Sequence, residues 1–100
     1  MQQLTAAALR SAIQRNDNHL SVALPLPASV AQATHLAEHI AQSGGFTVGP
    51  THWGADRLQV MLIKQDISAL LCIEWLCEAM WIEPTGTAEL TQVWQAFQPG

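Results

Sequence analysis

Basic side chains are scarce in this sequence. Arg10, Arg15, Arg57 and Lys64 stand against eight acidic residues, for a net charge of −4. Four scattered cations cannot form the footprint that a phosphate backbone demands, which argues against nucleic-acid binding. Charged residues of both signs make up only 12% of the 100 positions, while 49% are hydrophobic. Disorder requires the opposite balance. No apolar run reaches the roughly 18 uncharged residues of a membrane-spanning helix, because Glu74 and Glu78 interrupt the longest one. The opening MQQLTAAALRSAIQR has no basic stretch leading into an apolar core, so a secretory signal is not expected. A cytoplasmic location is the resulting expectation, with Cys72 and Cys77 as reduced thiols. A G-x-S-x-G nucleophile turn, a phosphate-binding glycine loop, a repeat and a linker are also missing.

What is present suits one α+β domain spanning residues 1–100. Residues 3–15 read as a helix with an apolar stripe of Leu4, Ala8, Leu9, Ala12 and Ile13. The turn residues RNDN, 15–18, end it. Residues 19–26 read as a short edge strand closed by Pro25 and Pro27. A second helix is expected over 28–43, with Val30, Ala33, Leu36, Ala37, Ile40 and Ala41 on its apolar side and Gly44–Gly45 as its cap. FTVG and RLQVMLIK, 46–49 and 57–64, read as strands joined by the turn PTHWGAD. Asp66 suits the N-cap of a third helix, 67 to about 81, and Thr87 that of a last one, 88–97. The expected architecture is two-layer: helices on a small, mainly antiparallel three-stranded sheet, in the order α-β-α-β-β-α-α.

The segment ALLCIEWLCEAMWI, 69–82, carries the functional expectation. As a helix it places Glu74 and Glu78 within about 20° of Ile67, and apolar residues, Leu76 among them, around most of the remaining surface. Such a helix needs cover on more sides than a sheet can give: either the helix at 88–97 covers it, making 67–81 the central core, or another chain does. Trp75 and Trp81 would flank the acidic stripe, and tryptophan at the edge of an apolar surface is a common anchor for a protein partner. Glu74, Trp75, Glu78 and Trp81 are therefore the expected partner-binding residues.

Other constellations have plainer readings. Cys72 and Cys77 would point about 140° apart on a helix, too far to share a bond or a metal. HLAEH, 35–39, resembles the H-x-x-E-H pattern of inverted zinc proteases over five residues. There His35 and His39 would hold a metal and Glu38 act as base, with a third ligand from His19, His52 or an acid. The wheel also fits a solvated face, since both histidines lie opposite the apolar side. Glu74 and Glu78 as an acid/base pair, and His52 with Asp56 as a contact inside a loop, are further possibilities of the same kind.

The expectation is a non-catalytic protein-binding module without cofactor: an accessory factor, inhibitor or small chaperone-like adaptor, with an acidic half suited to a basic partner. Self-association through residues 67–81 is the alternative. A small metal-binding protein or enzyme using the HxxEH segment is the third.

Overall fold

The computed structural model describes residues 5–98, so the first two positions expected of the opening helix, residues 3 and 4, lie outside them. The first helix, α1, is Ala6–Ala12, capped by the Thr5 side chain. It passes without a loop into strand β1, Ile13–Arg15, because Ile13 already has extended backbone angles. The RNDN turn then reverses the chain into β2, Leu20–Val22. Helix α2 is Val30–Ser43, started by the Ser29 side chain and closed at Gly44, with Gly45 at φ +77 just beyond. Strands β3, Thr47–Trp53, β4, Arg57–Lys64, β5, Ile67–Glu74, and β6, Ala79–Pro84, follow as a meander. Helix α3, Leu90–Ala96, completes the fold with a Glu89/Gln92 capping box rather than a Thr87 cap.

The α+β class holds, but the expected three-stranded sheet is corrected to six strands. They run in the order β1-β2-β6-β5-β4-β3, and each neighbouring pair is antiparallel. The expected edge strand, β2, is interior, flanked by β1 and β6. The largest correction is at 67–81, which forms the β5–β6 hairpin instead of a helix. Side chains alternate across a strand, and the two strands divide accordingly. Ala69, Leu71 and Ile73 face the core together with Met80 and Ile82. The acids that a helix would have aligned instead bracket the turn, Glu74 ending β5 and Glu78 closing the loop at φ +50.

Antiparallel partners present their side chains on the same face of a sheet. The register therefore carries one apolar row across three strands from Leu58 through Ile73 to Met80, and another across four from Val60 through Leu71 and Ile82 to Leu20. All these residues are buried, and the helices pack onto that face through Leu9, Ala33, Ala37, Ile40, Val93 and Phe97. The two ends of the helical layer interlock at Gly44, where an added Cβ would lie 2.7 Å from the Phe97 ring. No element among the described residues covers the opposite face, which is called the open face below.

The two edges are blunted. β1 has only three residues. β3 is broken by a register irregularity between Val48 and Thr51, where Gly49 and Pro50 sit. Bulges, prolines and short strands are the usual protections against edge-to-edge pairing.

Burial separates two neighbouring leucines. Leu71→Ala removes a side chain from the centre of the core and should cost about 2–5 kcal/mol. Leu76→Asp should stay within about 0.5 kcal/mol of the parent, because Leu76 is 82% exposed at the hairpin tip and not buried as the helix required. Denaturant unfolding of both variants checks the assignment of strand and turn.

Candidate functional site

Five large apolar side chains are exposed among the described residues; Val48 and Ile63 lie toward the β4–β5 turn, and the other three lie together. Val30, Trp53 and Leu76, 59%, 48% and 82% exposed, belong to three segments that meet at one end of the sheet. Trp53 is the last residue of β3 and pairs with the buried Leu58, so it lies on the helix-bearing side. Trp75 opens the β5–β6 turn. Its indole N–H donates to the carbonyl of Pro27 at 2.8 Å, and its ring stacks on Trp53 with centroids 6.3 Å apart and planes 12° from parallel. The Trp75 backbone N–H donates to the Asp56 carbonyl at 2.9 Å, tying this turn to the β3–β4 turn. Val30, Trp53, Trp75, Ser29, Asp56 and Arg57 line a groove of about 310 Å³.

Electrostatics mark the same end. Arg57 and Glu74 face each other across β4 and β5 and form an ion pair at 2.8 Å. The other three cations are also engaged within the fold: Arg10 with the Ser43 carbonyl, Arg15 with the Thr91 hydroxyl and Lys64 with the Gly44 carbonyl. Of the eight acids, Glu74 alone is ion-paired among the described residues. Asp56 beside the groove and Glu78 in the adjoining turn keep their charge uncompensated.

The four expected partner-binding residues are thus distributed differently from a helical stripe. Trp75 and Glu78 lie in the β5–β6 turn, and Glu74 at the adjacent strand end is occupied by Arg57. Trp81 lies on the open face, where it pairs in register with Cys72 and Ser21. Trp53 and Val30 join Trp75 from other segments. The sequence signal for Trp53 was its place before Gly54, but the expected turn over 50–56 shortens to Gly54–Asp56. Val30 follows the Ser29 cap, too early in α2 to reach the core.

The remaining constellations stay apart. His35 and His39 are exposed on α2 with ring centroids 6.1 Å apart, and no group of three metal-ligating side chains gathers among the described residues. His52 pairs with Gln59 on the face opposite Trp53, while Asp56 belongs to the turn. A second groove, about 380 Å³ between α2 and β3, holds Glu38 as its one ionisable group. Cys72 is 2% exposed on the open face, and Cys77 is exposed in the turn. Burial, reinforced by the nearby Glu83 carboxylate, pushes the Cys72 thiol up to about 12. A thiol so held is a packing group and not a nucleophile at neutral pH.

Thiol labelling tests this contrast. At pH 8 one sulfhydryl per native chain, Cys77, should react with an aromatic disulfide reagent, and the second only in denaturant. Fast reaction of both in the folded protein would place Cys72 at the surface.

No curated protein and no solved structure matches the chain. The family described as "Protein of unknown function (DUF3630)" matches residues 10–97, a span that contains the whole sheet, the groove and both stacked tryptophans. The chain belongs to this family.

Proposed function

We propose that this protein is a non-catalytic binding module that takes a protein partner at the tryptophan-bearing end of its sheet. The observation that carries the reading is the convergence of Trp53, Trp75, Val30 and Leu76, from three separated segments, on one exposed end. A leucine held almost wholly in water at a hairpin tip does nothing for the core. Next to a rigid tryptophan pair it makes the kind of anchor around which partner affinity concentrates. Trp75 is oriented by its hydrogen bond to Pro27, so little side-chain entropy remains to be lost on binding.

Charge defines the partner. Asp56 and Glu78 flank the apolar surface, and Arg57 is neutralised by Glu74. A partner that inserts an apolar side chain flanked by lysine or arginine fits this end, and its encounter would be steered by the net charge of −4. An accessory, inhibitory or adaptor role follows from that mode of action. The two free thiols suit the reducing interior of a cell.

Capture from lysate of the native host, run on the parent and on two exposed variants, tests the reading. Leu76→Asp should abolish capture of a partner that the parent retains, and Gln95→Ala on α3 should keep it. Capture by the parent should also weaken as salt is raised. Equal capture by all three proteins would move the binding surface away from this end.

A further inference from the structure

We propose that two copies of this chain pack through the open faces of their sheets, independently of the partner site above. The face has the composition of an interface. Reading across the register, one row runs Gln14, Ser21, Trp81, Cys72, Gln59, His52, and the next runs Glu83, Leu70, Met61. The centre is therefore the half-buried Trp81, Leu70 and Met61, packed around the buried Cys72. Polar residues surround it: Arg57 and Glu74 at one end, Ser68 and Thr85 at the other, Ser21 and His52 at the sides. An apolar centre within a polar rim is the anatomy of a protein interface. The middle of β5, residues 69–73, is apolar on both faces, which is the pattern of a strand covered from both sides. The helices cover one.

Three observations favour a second copy as the occupant. First, the face is close to neutral. Arg57 and Glu74 cancel, Glu83 is left as the one uncompensated acid of the face, at its margin beside Leu70, and the remaining acids lie in turns, on α2 or at the start of α3. Two identical faces meet with one negative charge each rather than the full −4 of the chain, and a basic partner gains little here. Second, the size is adequate. Six strands about 4.8 Å apart, the longest rising roughly 3.3 Å per residue over eight residues, give a projected face on the order of 600 Å². Side-chain relief brings that near the roughly 800 Å² per partner of a stable interface. Third, the blunted edges at β1 and at Gly49–Pro50 leave little scope for adding strands. Face-to-face packing, with sheets about 10 Å apart, is the remaining way to bury apolar surface of this sheet against another copy.

Sedimentation equilibrium between about 1 and about 500 µM, a range that brackets ordinary dimer affinities, decides the matter. The parent should move from the one-chain mass of 10.9 kDa toward twice that value. Leu70→Lys should hold the one-chain mass while keeping the parent's circular dichroism, and Leu76→Asp should dimerise like the parent. If Leu70→Lys fails to fold, Ile63→Lys, at a position already 38% exposed at the margin of the same face, should weaken association at least about tenfold. A parent that stays at one-chain mass throughout overturns the proposal. So does a folded Leu70→Lys chain, or failing that an Ile63→Lys chain, that associates as tightly as the parent.

Discussion

The fold depends on keeping a single register across β4, β5 and β6. Antiparallel pairing binds Leu58 to Ile73 and Ile73 to Met80, and it repeats two residues further on as Val60, Leu71 and Ile82. A slip of one residue in any of these strands would send its buried row to the other face. The helical layer would then rest on Gln59, Cys72 and Trp81. The two connecting turns enforce the register: Gln65 and Glu78 accept left-handed backbone at φ 56 and φ 50 so that the strands stay aligned. Everything at the tryptophan-bearing end inherits its geometry from these turns. The β5–β6 turn aims Trp75 at Pro27 and leaves Leu76 outside.

That arrangement divides the work of the side chains sharply. Core residues on the helix side are buried in one cluster, and the surface at the sheet end uses residues with no part in it beyond the half-buried Trp75. The cations are spent on internal contacts that fasten α1 to α2, β1 to α3 and β4 to the α2 terminus. Apart from Glu74, the acids form no ion pair among the described residues. The excess of eight acids over four bases gives a predominantly negative field, and a binding surface at the turns can exploit it.

Much of this was legible in the residues. α2 shows its period, its Ser29 start and its Gly44–Gly45 stop, and β4 shows its alternation. The RNDN reversal and the apolar face of α3 were also readable. The segment 67–81 was not, for a physical reason. Its β5 half is apolar on both faces, and a residue pattern apolar at nearly every position has no period to read. The turn that divides it, Trp75–Glu78, contains no glycine, proline or asparagine, and Glu78 adopts the left-handed backbone angles that glycine or asparagine usually supplies. With the turn silent, the i, i+4 spacing of two glutamates mimicked a helix stripe. β1 was hidden because α1 enters it without an intervening loop. Trp75 was singled out as the rim of a helical stripe that the hairpin does not form, and its companions Trp53 and Val30 come from segments that only the sheet brings together.

The position of β2 has a consequence for the order of assembly. Leu20 pairs with Ile82, so the N-terminal hairpin closes the sheet against a strand near the far end of the sequence. The local hairpins β3–β4, β4–β5 and β5–β6 can zip as they emerge during synthesis, whereas β1 and β2 must wait for β6. Such long-range closure is slow relative to hairpin formation. Until it occurs, β6 presents a bare edge bearing Trp81 and Ile82. The nascent chain is thus exposed to misassociation at the strand that ends up shielded in the finished molecule.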